Sequence, residues 1–292
     1  MGLDRDLSAH AGPLIYRPSP PLADYVEFIG AWRSRDVDYW SRALPRGAVT
    51  VIFDVGQRQQ LDFYAADGKT TLRVPPAFVT GSHTASYVSK IPADEPVMAI
   101  HFQPGGAFPF LGIPLGDIEN AYVGVDEVWG AAGRQLHERL VETPAVAARF
   151  GIVEQFLLSR SSLTVDRNLG VAAAIAAIEN DPSIRMADLR REVGLATKRL
   201  IASFRAEVGL SPKAYARVRR LQAALRLLAA SPVGGARVAA EVGYFDQAHF
   251  VRDFESFAGM TPMQYSRQQI LLPSHVPVER HKFTRPLLAA RP

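Results

Sequence analysis

The chain has 292 residues, 48% of them hydrophobic and 21% charged, which allows two packed cores and argues against a disordered chain. The absence of cysteine excludes disulfides, thiolate metal ligands and cysteine nucleophiles together. Net charge is +4, but residues 1–163 carry 14 Lys and Arg against 18 Asp and Glu, while residues 164–292 carry 19 against 11, so only the second half is suited to a polyanion.

The first residues are too polar for a secretory signal, and no run of about 18 apolar residues occurs, so the expected location is the cytoplasm with no membrane contact. From Ala48 to about Gln103 short β-rich runs are bounded by Gly, Pro or Asp: Val49–Phe53, Leu61–Tyr64, Ala77–Val79, Tyr87–Val88 and Val97–Ile100. That spacing predicts a small β-barrel or sandwich. After Gly130 the period becomes helical, with Leu136 and Leu140, then Val146, Phe150, Val153 and Leu157 as one apolar stripe. This stripe needs a partner surface, and a seam between two copies is slightly favoured over the monomer core. The polar run Ser159–Thr164 is the expected linker. The tail, with Pro273, Pro277, Pro286 and Pro292 among several arginines, has no periodicity and is expected to be irregular.

Between linker and tail the chain repeats itself. Glu192-Val193-Gly194 returns as Glu241-Val242-Gly243. One residue later in register, Leu200 matches Phe250, Phe204 matches Phe254, Gly209 matches Gly259, Ser211-Pro212 matches Thr261-Pro262, and Tyr215 matches Tyr265. One supersecondary unit is used twice. In each copy a short helix ends at a glycine suited to a left-handed turn, and a second helix follows at a steep angle. Another glycine stops that second helix, and a hydroxyl residue followed by proline starts the next one. This is the helix-turn-helix pattern.

The apolar scaffold is shared, but the outward faces of the second helices are not. They carry Lys198, Arg199, Ile201, Ala202 and Arg205 in the first copy, and Gln247, Ala248, His249, Val251, Arg252 and Glu255 in the second. Unlike side chains on a common scaffold are what two different base sequences require, since Arg or Lys pairs with guanine and Gln with adenine in the major groove. The competing explanation of these residues is a solvated charged face, with His249 evenly divided between groove and packing. Between the copies, Val218, Leu221, Leu225 and Leu228 mark one helix from Pro212 to about Ala230. Its length of about 28 Å approaches one DNA turn of about 34 Å, so both reading helices can reach successive major grooves.

These residues resemble the DNA-binding domain of the AraC/XylS family of bacterial transcription regulators, most specifically along Ala239–Phe254 and Gly259–Tyr265. The resemblance implies base contacts at Lys198, Ile201 and Ala202 in the first unit and at Gln247, Ala248, His249 and Arg252 in the second. Ala202 and Ala196 depart from the family, which often has arginine and a capping serine there, so reading by the first unit is expected to rest on Lys198, Arg199 and Arg205. Thr197, Lys213, Arg217, Asp246 and Arg267 are the expected phosphate contacts. The N-terminal half is similar to sensor domains of the family through Leu44–Gly47, Thr80–Thr84 and Ile100–Ala107.

The expectation is therefore an α+β chain: a cupin-like β-barrel or sandwich with terminal helices (1–160), an all-α pair of helix-turn-helix units on a linker helix (165–269), and a tail (270–292). Its expected partner is double-stranded DNA. A small effector, RNA polymerase and a second copy are further partners, with no cofactor. Two other readings compete. A cupin-like metal enzyme would use His83 and His101, but the usual His-x-His pair is missing. A nonspecific architectural DNA binder would use the same charge without base preference.

Overall fold

The computed structural model describes residues 14–32, 38–56, 62–91, 96–160, 168–230, 235–268 and 274–278. In chain order, the first half builds β1 (Leu14–Tyr16), β2 (Val26–Trp32), β3 (Tyr39–Ala43), β4 (Thr50–Asp54), β5 (Asp62–Tyr64), β6 (Thr71–Leu72), β7 (Ala77–Thr80), β8 (Tyr87–Ile91) and β9 (Val97–Phe102). Then come α1 (Phe108–Leu111), a 3-10 turn at Leu115–Ile118, β10 (Tyr122–Gly124), α2 (Val125–Trp129), α3 (Ala131–Glu142) and α4 (Val146–Arg160). The second half is α5 (Leu169–Asn180), α6 (Met186–Val193), α7 (Thr197–Val208), α8 (Pro212–Ala230), α9 (Gly235–Glu241), α10 (Gln247–Ala258), α11 (Pro262–Ser266) and a last strand, β11 (His275–Pro277). Among these residues no helix is long and apolar enough to cross a membrane.

The strands form two antiparallel sheets that do not close into a barrel. One has the order β1-β2-β9-β4-β7-β10, the other β11-β3-β8-β5-β6. The two-residue period of a strand explains how three layers are built from so little sequence. On β4, β7 and β9 one set of side chains, Val51, Phe53, Val79, Met98, Ile100 and Phe102, faces α3 and α4 in one core. The alternate set, Ile52, Phe78, Val97 and Ala99, meets Phe63 of the other sheet in a second core. Strands buried on both faces read as continuous apolar runs, which is why β4 and β9 were legible without alternation.

The stripe on α4 lies inside this monomer. Phe150, Val153 and Leu157 are buried in the helix-to-sheet core, Val146 packs against it, and Phe150 stacks on Tyr16 with ring centroids 5.2 Å apart. The expected seam between copies is therefore replaced by an internal contact, because the six-stranded sheet presents an apolar face that the helices must cover. The tail departs from expectation as well. After the second helix-turn-helix unit the chain returns to the N-terminal half, where β11 pairs antiparallel with β3, His275 opposite Ala43 and Pro277 opposite Ser41. Strand β3 at the sheet edge offers unpaired backbone groups, and the tail satisfies them. Of the linker, Ser161–Thr164 lie outside the described residues, as does most of the tail.

Three imidazoles are enclosed here. His101 stacks on Phe28 at 4.2 Å and receives a hydrogen bond from Arg46 at Nδ1, with His275 of β11 facing it at 6.2 Å. His83 lies against Tyr122 and Tyr87. Burial lowers all three, His83 and His275 to about 4, and the Arg46 charge pushes His101 and His275 further in the same direction. An unfolded chain takes up these protons near pH 6.5, so the stability that the neutral rings contribute is complete above that pH and is lost on descent toward pH 4. Urea denaturation at pH 7.5, 5.5 and 4.5 should show a midpoint that falls at each step. His275→Gln should remove part of this dependence.

Candidate nucleic-acid interface

Both helix-turn-helix units are built as the repeat implies. In the first, Leu189 of α6 and Leu200, Phe204 and Val208 of α7 are buried. Gly194 between the helices and Gly209 after them both take left-handed conformations, with φ of 71° and 87°. In the second, Val238, Phe250 and Phe254 are fully buried, and Gly243 and Gly259 have φ of 78° and 65°. The apolar positions hold each helix pair together, and the remaining face is left to solvent.

The two copies differ in how their second helices begin. Asp246 caps α10 by accepting a hydrogen bond from the His249 backbone at 2.6 Å. Ala196 leads into α7 with no side-chain cap. Thr261 and Gln264 cap α11 reciprocally, and each accepts a backbone hydrogen bond from the other. Helix α7 therefore starts without the side-chain acceptor that α10 has.

Lys198, Arg199, Ile201, Ala202 and Arg205 are exposed on α7, and Gln247, Ala248 and Arg252 are exposed on α10. His249 is half-buried, its ring edge-on to Tyr244 at 5.2 Å. Gln247 folds back over the first turn of α9, where its amide nitrogen lies 3.1 Å from the place a β-carbon would take at Gly235. Among the described residues, Arg205 is the reading-face candidate held by an ion pair, to Glu119 of the N-terminal half at 3.3 Å.

Of the expected phosphate contacts, Thr197, Lys213 and Arg267 are exposed. Arg217 is partly engaged inside the fold, with 43% of its side chain still exposed. It pairs with Asp253 and lies over the Phe257 ring at 4.9 Å. Asp246 is engaged as a helix cap, and a carboxylate repels phosphate rather than binding it.

Sequence reasoning missed the centre of this network. Asp253 is buried on α10, where one carboxylate oxygen takes Arg217 of α8 and the other accepts from the Tyr244 hydroxyl at 2.8 Å. A second arginine of α8, Arg220, lies over the Tyr244 ring at 4.9 Å. The network ties the linker helix to the second unit. Its signal was present: Asp253 stands three residues after Phe250 and next to Phe254, on the inward face, where a carboxylate needs a partner.

Two bihelical units on one connecting helix, with basic and amide side chains exposed on the second helix of each, define a duplicated helix-turn-helix DNA-binding domain. Residues 189–268 match the family described as a helix-turn-helix domain, and the domain is of the AraC type that regulators use to bind DNA. Residues 14–124 match a family described as a domain of unknown function (DUF6597). A curated relative, described as an uncharacterized HTH-type transcriptional regulator from Haemophilus influenzae, is 27% identical over 117 residues, covering 39% of each chain. The chain thus spans well under half of that relative's length. Among solved structures, it is similar to a probable AraC family transcriptional regulator from Rhodopseudomonas palustris (27% identity, 34% of this chain, 96% of that one, TM-score 0.32). It is also similar to ToxT from Vibrio cholerae (12% identity, 82% of this chain, 96% of that one, TM-score 0.42).

Two stability changes follow. Ala196→Ser supplies the missing cap and should raise stability by about 1 kcal/mol in thermal or urea unfolding. Asp253→Ala strands Arg217 and Tyr244 without their acceptor, and should cost about 2 kcal/mol.

Proposed function

We propose that the chain is a sequence-specific transcription regulator that reads duplex DNA through α7 and α10 in neighbouring major grooves. The observation that carries this reading is the repeat: one buried scaffold kept twice, two exposed faces that share almost nothing. Solvation alone does not require a second copy of the scaffold. Lys198, Arg199 and Arg205 are the base-reading residues of the first unit, and Gln247, Ala248, His249 and Arg252 those of the second. Thr197, Lys213 and Arg267 hold the phosphates. The 19-residue α8 sets the spacing, since about 28 Å of helix places the two readers roughly one DNA turn apart.

In this reading the β-domain is the controlling part, answering to a small effector or to a second copy, and RNA polymerase is the further partner of the DNA-bound protein. The three N-terminal segments singled out in the sequence support a controlling role by where they lie. Leu44 joins the helical core, the Pro45 carbonyl accepts from Gln222 of α8 at 2.5 Å, Ser82 donates to Val208 of α7 at 2.7 Å, and Gly105 faces Ile175 of α5. A change in the β-domain therefore reaches α7 and α8 directly.

Selection from a random duplex library should enrich an asymmetric motif about two turns long. A flat profile would favour the architectural binder instead. Arg252→Ala should lose about 1 to 3 kcal/mol and relax preference at a single base position. Lys213→Ala should weaken all sequences alike and reduce the slope of log K against log salt by about one.

A further inference from the structure

The two reading helices are not equally free. Beside α7 runs a groove of about 840 Å³ with Gly116 and Asp117 of the β-domain on one wall and Lys198, Ile201, Ala202 and Arg205 on the other. Lys198 and Arg205 are base readers in the proposed reading, and Ile201 and Ala202 lie where the family resemblance implies base contacts. The approach is close: a β-carbon on Gly116 would stand 2.7 Å from Arg205 Cγ and 3.0 Å from the Arg205 carbonyl oxygen. Glu119 pairs with the Arg205 guanidinium, Ser82 Oγ donates to the Val208 carbonyl at the end of α7, and Gly209 fits against Ser82 and the Leu115 carbonyl. The turn Leu115–Ile118 is therefore fastened to the C-terminal half of α7, with the groove running on beside Lys198, Ile201 and Ala202.

A B-DNA major groove is about 12 Å wide, and a helix with its side chains fills about 10 to 12 Å. It has no room for a second backbone at this distance. Asp117 and Glu119 also bring negative charge to the side where a phosphate strand would pass. On α10 the arrangement is different. The β-domain touches the second unit at its far end, where the Ser86 amide donates to the Phe257 carbonyl at 3.0 Å and Gly259 abuts Arg42. Gln247, Ala248 and Arg252, near the start of the helix, stay open.

We propose that this conformation is self-masked: the acidic segment 115–119 occupies the DNA-facing side of the first reading helix, and only the second unit can engage DNA until that segment is displaced. Full occupancy of a two-part site then requires α7 to exchange Glu119 and the Ser82 contact for phosphate and base contacts. This inference rests on the reading of α7 and α10 as base readers.

The chain has no native cysteine, so the full-length protein carrying Gly116→Cys and Arg205→Cys would contain a single pair. The spacing given above places their β-carbons within the roughly 3.5 to 4.5 Å that a disulfide spans. The test compares oxidised and reduced forms of this one protein on DNA selected with the unaltered chain. The reduced form, weaker than the unaltered chain because it lacks the Arg205 side chain, should still protect both half-sites, about 20 bp, and the oxidised form one, about 10 bp, with affinity at least about tenfold below that of the reduced form and a shallower salt dependence. Equal footprints and affinities would overturn the proposal, as would failure of the pair to cross-link. Glu119→Lys in the otherwise unaltered chain should repel Arg205 and raise affinity about three- to tenfold at moderate salt; unchanged or weaker binding counts against masking. A selection without sequence preference in either redox form would sink base reading itself, and masking with it. That outcome is told apart from equal footprints by the missing motif.

Discussion

Tyr215 is fully buried where the two halves of the chain meet. Its ring packs on Phe204 of α7 at 5.5 Å, and its hydroxyl donates to Glu179 of α5 at 2.9 Å. It also lies so close to Gly47 that a β-carbon there would sit 2.8 Å from the ring. Gly47 has a φ of 72°, a conformation that costs glycine little and other residues more. The first helix-turn-helix unit, the linker helix and the β-domain are therefore set by one aromatic side chain and the glycine that makes room for it. The matching Tyr265 of the second unit packs on Phe254 at 5.8 Å in the same internal role. The repeat thus reuses the same tyrosine, and the first copy packs it against Gly47 of the β-domain.

The contact is reinforced two turns further along the same face of α8. Gln222 donates to the Pro45 carbonyl and accepts from Ser274, so a side chain of the linker helix is satisfied by residues from both ends of the chain. Leu44 and Val276 enter the helical core with it. Each fully buried side chain of this kind contributes about 1.5 to 3 kcal/mol, and a polar group such as Gln222 would be costly if its partners left together. The halves are joined as a core is joined, by apolar burial with its polar atoms paired.

Charge is distributed with the same division of labour. The arginines of α8 look in sequence like a basic rail for phosphate. In the fold Arg217 holds Asp253, Arg219 holds Glu179 at 3.2 Å, and Arg220 lies over Tyr244. These three arginines thus balance internal acids and rings, whereas Lys198, Arg199, Lys213, Arg252 and Arg267 are among the described cations that stay exposed. Surface charge that pairs internally cannot release counterions from DNA, so net charge overstates the area available for binding.

What the sequence determined by itself was whatever depends on local spacing. The glycines after α6 and α7, the Thr261-Pro262 start of α11 and the stripe Val218, Leu221, Leu225 and Leu228 act over one or two turns, and their pattern is the helix-turn-helix unit. Its duplication needed only the chain compared with itself. Strands β4, β7 and β9 were legible because a strand buried on both faces leaves an apolar run. Tertiary structure alone decided where those surfaces go. The α4 stripe would suit a second copy or the parent sheet equally well, and only the sheet's uncovered face settles it. Residues 275–277 carry no strand period, and become β11 because β3 offers an open edge. Arg217 and Arg205 look like free cations until Asp253 and Glu119, 36 and 86 positions away in sequence, are brought beside them. Pairing between distant residues depends on the path of the whole chain, and no local period records it.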